Sequence, residues 1–306
     1  MELNGIERLG NTDQLALVTR GEAIDIRVLR GVALRIHPQR GLDIGAAWFR
    51  GLSLAWISPA GEGGTDSTDW TAAWGGGLLT TCGLDNVGRA SEGIGLHGGY
   101  TFLRAHDVDV DRSASEVVCH GTIDDPRGLR VERTIRTSIG HGEVELVDRT
   151  LNVGSESLPA PLLYHVNLGW PLWDAGARIE TDAREVAPRD SDAAPHDWSR
   201  APEPATVPER VWEHVGATRA ALVNDELGIL LEIESSLPRL WQWIDPKPGF
   251  YALALEPSNC SVLGRAHDRA RSQLPMLGPG EDRVTSVVIR AVMTGEAPQA
   301  RLGVGS

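Results

Sequence analysis

Between closely spaced glycines and prolines the chain carries short runs in which apolar and polar residues alternate, with few apolar stripes at a helical period. Alternation of period two places successive side chains on opposite faces of an extended strand, so the pattern predicts strands. AIDIRVLRG (23–31) alternates cleanly. LRVERTIRTSIGHGEVELVDRTLNVGS (129–155) reads as a hairpin turning near Gly140-His141-Gly142, with Val131, Ile135 and Ile139 sharing one face. Repeated along the chain, such runs predict an all-β fold: two packed antiparallel sheets or a distorted barrel.

One stretch breaks the rhythm. From about Asp174 to Arg210 the sequence is rich in Pro, Asp, Arg and Ala, which predicts a loop-like insertion beside the functional site. The strand patterns on its two sides are of one type and no repeat of fixed period appears, so a single domain over 1–306 is expected. The tail TGEAPQARLGVGS is expected to fray.

Charge narrows the partners. A formal net charge of -13 and a pI near 5.1 oppose binding to nucleic acid or to an anionic membrane, because the dominant electrostatic contribution would be repulsive. A small molecule is the better expectation. Cys82, Cys119 and Cys260 have neither disulfide-framework nor metal-ligand spacing, and MELNGIERLGNTDQLALVTRG lacks the basic-then-apolar pattern of a secretion signal. A soluble, cytoplasmic protein is expected. The sequence carries no mark of oligomeric state.

Three stretches hold the candidate chemistry. In LLYHVNLGWPL (162–172), Leu162, Tyr164, Val166 and Leu168 share one strand face, while Leu163, His165 and Asn167 share the other. Periodicity alone leaves His165 open between a satisfied core histidine and a ligand-facing one. In GFYALALEPSNC (249–260), Glu256 ends a face that begins with Ala252 and Ala254, small neighbours that leave room for a ligand. Pro257 removes a ladder donor, which predicts a strand end or edge there. In GLLTTCGLDNVGRASEGIGLHGGY (77–100), His97 sits in a Leu-His-Gly-Gly turn whose glycines permit positive φ. Two further stretches qualify more weakly: WQW (241–243), with Gln242 between two Trp of the opposite face, and PERVWEHV (208–215), with His214. No HExxH, EF-hand, GxSxG or dinucleotide fingerprint is present. Ten Trp against three Phe and three Tyr suit surfaces that hold a sugar ring by its C–H face, although sheet packing accounts for Trp equally well.

In order and spacing these stretches resemble the galactose mutarotase (aldose 1-epimerase) superfamily, and more closely its aldose 1-epimerase-like branch known as a domain of unknown function. LHGG (96–99) resembles the family's Leu-His-Gly-Gly motif, TLNVGSESLPAPLLYHVNLGWPL (150–172) its Asn-x-Gly strand leading into His-x-x-Phe-Asn-Leu, and LALEPSN (253–259) its Leu-Glu-Pro/Thr-Gln segment. The likeness spans roughly residues 30 to 295. It implies a large antiparallel β-sandwich, a carbohydrate substrate, an isomerase that interconverts sugar anomers, and no metal or organic cofactor. By the same likeness His165 is the general acid, Glu256 the general base, and His97 a sugar-binding residue, while Asn167 positions ligand or His165. The family's substrate-binding Arg and Asp lack clean counterparts: the nearest Arg is Arg89, in Asp-Asn-Val-Gly-Arg, and the region that should hold the Asp is the Pro-rich stretch, where none matches clearly. Arg89, Gln242 and His214 complete the candidate substrate-binding set. The alternatives are a carbohydrate-binding module that has lost the reaction, and a metal-dependent isomerase or lyase using several of His97, His165, His214 and Glu256.

Overall fold

The computed structural model describes residues 7–8, 16–62 and 69–295. The C-terminal tail expected to fray lies, from residue 296 onward, outside the described residues. Two large sheets account for most of the structure, and the neighbouring strands pair antiparallel. The larger runs in spatial order Glu7–Arg8, Ala16–Arg20, Ile24–Val28, Val32–His37, Asp43–Phe49, Leu79–Gly83, Leu162–Leu168, Ala252–Ser258, Arg239–Asp245, Arg210–Val215 and Glu185–Pro188. The other runs Arg178–Thr181, Arg219–Asn224, Ile229–Ser235, Asp282–Met293, Glu143–Asn152, Leu129–Ser138, Glu116–Asp125 and Ala105–Arg112. The predicted hairpin is present, with Leu129 opposite Asn152 and Thr137 opposite Val144.

Alternation decides what lies between the sheets. Leu162, Tyr164, Val166 and Leu168 join the inter-sheet core with Leu253, Leu255, Val131, Ile135 and Leu146. Burial of each such aliphatic side chain stabilises by about 1.5–3 kcal/mol relative to exposure. Leu163 faces the other way, into a second apolar cluster on the outer face of the larger sheet, with Trp56, Trp70, Trp74, Cys82, Trp241 and Ala252. The fold therefore has two apolar surfaces: a core between the sheets, and an aromatic layer outside one of them.

An ionic knot fastens the core to the strands beneath that layer. Arg133, fully buried, pairs with Asp148 at 2.7 Å and Asp43 at 2.9 Å, and also donates to Thr81 Oγ1 at 2.9 Å. Tyr164 Oη donates to Asp148 Oδ2 at 2.8 Å. Each charge has several partners, the condition under which a buried ion pair is tolerated. Thr81 and Tyr164 adjoin Thr80 and His165 in sequence, so the knot holds the inner side of two strands whose outer side carries polar groups.

Two expectations are corrected. The stretch 174–210 is not one loop, because Arg178–Thr181 pairs with Arg219–Asn224 in one sheet and Glu185–Pro188 pairs with Arg210–Val215 in the other. These strands are four residues each, too short for alternation to stand out from the surrounding Pro and Asp. Of the strand end or edge expected at Pro257, the end is present, since the strand stops at Ser258, and the edge is not. Ala252–Ser258 is central, flanked by Leu162–Leu168 and Arg239–Asp245. Pro257 is accommodated where the ladder to Leu162–Leu168 skips from Leu163 opposite Ser258 to Val166 opposite Leu255, so its missing N–H costs no pairing there.

Candidate active site

The skipped stretch of ladder is where His165 and Glu256 meet. Their strands are neighbours, the two side chains emerge on the outer face, and His165 Nε2 lies 3.2 Å from Glu256 Oε1. Both are almost wholly buried, at 2% and 3% exposed. Asn167, two residues along the same face, accepts a hydrogen bond at its Oδ1 from His165 Nδ1. Its amide nitrogen donates to Gly77 O at 2.8 Å and to His165 O at 2.9 Å, which fixes which way the amide points. With Oδ1 as acceptor, Nδ1 of His165 carries a proton, and Nε2 is the nitrogen turned to the carboxyl group. Gly77 has to be glycine: its φ is +106°, and a Cβ would sit 2.6 Å from Ile44 O.

Burial sets the protonation. Desolvation pushes Glu256 up to about 8, the charge of Glu209 adding to the rise and that of Arg189 opposing it. Desolvation likewise pulls His165 down to about 4, against the hydrogen bond that its Nδ1 donates to Asn167. With Glu256 raised and His165 lowered, burial favours the uncharged form of each around neutrality, and at 3.2 Å the carboxyl proton is placed to be donated to His165 Nε2.

His97 reaches the same place from the Leu-His-Gly-Gly turn. It has φ +56° and Gly98 has φ +72°, so a left-handed turn delivers its ring to within 5.7 Å of the His165 ring, centroid to centroid. The turn is held by His97 N donating to Gly88 O at 2.9 Å and by Gly83 N donating to His97 O at 2.9 Å. Gly88 tolerates no side chain, since a Cβ would lie 1.9 Å from Val262 O. Burial lowers His97 to about 3, with the neighbouring His165 adding to the effect, so its imidazole is neutral.

Aromatic rings enclose the group. Trp74 lies 5.1 Å, Trp243 5.7 Å and Trp70 6.0 Å from the His165 ring, and Phe250 closes against Trp56 at 4.5 Å. Trp241 and Trp243 stand opposite Glu256 and Ala254 in the ladder, so they share the outer face. Side-chain bonds tie the described residues of the segment that brings Trp56, Trp70 and Trp74 to the strand Val32–His37 and the turn after it. Glu62 bonds Arg35 and His37, each at 3.1 Å, and Arg40 donates to Ala73 O at 2.9 Å.

At the rim stand groups that sequence reasoning missed. Glu209 Oε2 accepts from Trp243 Nε1 at 2.7 Å, and Glu209 Oε1 accepts from Arg189 at 3.2 Å. Arg189, largely buried, also donates to Asp190 at 2.7 Å. All three come from the stretch set apart by composition, where nothing in the local pattern separated them from its other charged residues. Arg89, the sequence candidate, is exposed and reaches the site only indirectly, 3.6 Å from Asp190. Gln242 and His214 are not in the group. Gln242 stands opposite Leu255, and His214 opposite Leu240, which puts both on the inter-sheet face, where His214 Nε2 donates to Gln242 Oε1 at 2.8 Å. The alternation that sets Trp241 and Trp243 toward the site turns Gln242 away from it. His214 accordingly does not join His97, His165 and Glu256, and among the described residues no group of three or more His, Cys, Asp or Glu is placed to hold a metal ion.

The fold is that of the galactose mutarotase-like β-sandwiches. A proposed aldose 1-epimerase from Klebsiella pneumoniae superposes with a TM-score of 0.84 at 19% identity, over 95% of this chain and 88% of that one. A galactose mutarotase-like protein from Clostridium acetobutylicum gives 0.63 at 14% identity, over 93% and 100%. A proposed aldose 1-epimerase from Escherichia coli K12 gives 0.61 at 17%, over 87% and 98%. At such identities the likeness is one of fold alone. No curated protein matches in sequence. The chain belongs to the family described as Domain of unknown function (DUF4432), whose model matches residues 20–291.

Proposed function

We propose that the protein is a carbohydrate mutarotase, an isomerase that interconverts sugar anomers by acid–base ring opening, with His165 and Glu256 as the reacting pair. What supports this reading is the 3.2 Å approach of a buried carboxyl group and a buried imidazole, a pair able to pass one proton, inside an aromatic enclosure. Opening a hemiacetal removes the proton of the anomeric hydroxyl and adds one to the ring oxygen. Closure on the other face of the aldehyde reverses both transfers, so the pair ends with the proton count it began with. One acid and one base side by side are what this exchange requires.

At rest the shared proton is on Glu256, which donates to His165 Nε2; its shift to Nε2 forms the reacting tautomer, in which Glu256 as carboxylate takes the hydroxyl proton and His165 gives its own to the ring oxygen. Asn167 Oδ1 stabilises the imidazolium from the Nδ1 side. His97, neutral, is a hydrogen-bond partner for the sugar. Trp74 and Trp243 offer flat apolar faces to its C–H groups. Because aromatic rings cover the pair, a sugar gains access by exchanging ring–ring contacts for its own.

Anomer exchange measured by NMR on a panel of aldoses and sugar acids tests the reading. Acceleration over buffer is expected for at least one sugar, and Glu256→Gln is expected to abolish it. Absence of acceleration for every member of the panel, with the protein folded, refutes it.

A further inference from the structure

Almost every indole N–H around the site is already committed. Trp56 Nε1 donates to Phe250 O, Trp74 Nε1 to Thr80 Oγ1 at 3.3 Å, Trp241 Nε1 to Cys260 O at 3.2 Å and Trp243 Nε1 to Glu209 Oε2 at 2.7 Å. Trp70 departs from the pattern. Its side chain is in the same layer, stacked on Trp74 at 5.0 Å and only 7% exposed, yet its Nε1 is buried and donates to no group among the described residues. Against it, with ring centroids 4.5 Å apart, lies His97, whose Nδ1 is also buried without a partner among the described residues.

Buried polar atoms without partners are rare in folded proteins, because each has given up water and gained nothing. Here two of them belong to touching rings, one an obligatory donor and the other an imidazole nitrogen able to accept or donate by tautomer. Both rings face the reacting pair: the His165 centroid is 6.0 Å from that of Trp70 and 5.7 Å from that of His97. A hydroxyl group accepts one hydrogen bond and donates another, the complement of this arrangement. Trp173 Nε1 is likewise unpartnered, but it lies in the inter-sheet core, away from the titratable groups of the site.

We infer that Trp70 is a ligand-binding residue: its indole N–H donates to a hydroxyl of the bound carbohydrate, and His97 Nδ1 holds the same hydroxyl from its other side. The inference rests on the carbohydrate reading above and narrows it to sugars that carry a free hydroxyl toward Trp70, one ring's span from the reacting centre. Trp70 adds recognition, and the proton transfer stays with His165 and Glu256.

The test uses the full chain labelled with 15N at the indole nitrogens, with glycerol as a simple hydroxyl probe followed by the aldose panel. The Trp70 resonance, assigned by its loss in Trp70→Phe, is expected to move downfield with glycerol and further with a bound aldose, while that of Trp241 stays in place. For an aldose that is turned over, Trp70→Phe is expected to raise KM about tenfold, the worth of one net hydrogen bond, with kcat changed by less than about twofold. One monodeoxy analogue should already carry that loss and suffer no further penalty in Trp70→Phe. An indole signal unmoved by glycerol and by every aldose overturns the inference, as does an equal Trp70→Phe penalty on every monodeoxy sugar. A Trp70 response without anomer exchange removes the mutarotase reading and keeps this one, whereas exchange with a silent Trp70 does the reverse. If Trp70→Phe fails to fold, the shift in the unmodified chain, assigned by its proximity to His97, decides the matter.

Discussion

His165 Nε2 and Glu256 Oε1 face each other across 3.2 Å on adjacent strands, and burial drives His165 down to about 4 and Glu256 up to about 8. Below about 4 the pair holds two protons and has no base. Above about 8 it holds none and has no acid. Between these limits it holds the one proton that anomer exchange needs, so kcat/KM is expected to trace a bell with limbs near 4 and near 8. Exchange rates recorded across pH check this, and a profile flat through both regions would exclude a shared proton from the mechanism.

The alkaline limb should respond to two rim residues in opposite directions. The charge of Glu209 raises Glu256, and that of Arg189 lowers it. Glu209→Gln keeps an oxygen for Trp243 Nε1 while removing the like charge, and is expected to move the alkaline limb to lower pH. Arg189→Gln is expected to move it to higher pH. The pair of variants separates an electrostatic effect on Glu256 from general damage, since damage would lower the rate without shifting the limb in opposite senses.

Much of the fold was legible because alternation has a period of two wherever one face is buried. It assigned Leu163, His165 and Asn167 to one side and Tyr164 and Val166 to the other, and the packing follows that division. The same rule, applied to WQW, should have weighted Trp241 and Trp243 above Gln242, because they share a face with Glu256. Arg189 and Glu209 were not legible at all. Their place depends on a four-residue strand, Glu185–Pro188, docking on Arg210–Val215, a long-range event without a local signature. The Leu-His-Gly-Gly turn was legible as a turn, but the meeting of His97 with Trp70 joins chain segments whose contact no periodicity encodes.

Asn167 is expected to act on His165 rather than on substrate. Its Oδ1 accepts from His165 Nδ1, which holds the tautomer that leaves Nε2 for proton transfer. Asn167→Ala should lower kcat by on the order of tenfold to a hundredfold, as removal of an orienting partner commonly does. KM should change little. In Asn167→Asp a carboxylate beside Nδ1–H favours the imidazolium, so the acid limb should rise in pH. A loss confined to KM, with an unmoved acid limb, would place Asn167 in ligand contact instead.

Arg133 makes a prediction about the scaffold alone. It is fully buried and is the cation shared by Asp43 and Asp148. Arg133→Met fills similar space but strands both carboxylates, and removal of one member of a buried ionic group costs about 3–5 kcal/mol. Chemical denaturation should show a loss of that size with an unchanged m-value. A loss within experimental scatter would mean that the carboxylates are neutralised by protonation at little cost.

Stability and the raised pKa of Glu256 are linked in sign as well as size. Its folded value of about 8 stands above the ordinary 4.5, so the group's contribution to stability is complete below about 4.5 and is lost as pH rises through about 8. Above that pH the folded protein carries a buried carboxylate that the unfolded chain keeps in water. Glu256→Gln carries no such burden, and its amide N–H donates to His165 Nε2 as the protonated carboxyl does. The lowered value of His165 acts on the acid side and is common to both proteins, so it cancels to first order in their difference. Glu256→Gln is therefore expected to be inactive yet to melt several degrees above the parent at alkaline pH, with the gap closing as pH falls toward the ordinary carboxyl value. Thermal unfolding of the two proteins side by side across pH measures this, and a gap independent of pH would show that the carboxyl group is not held neutral by its burial.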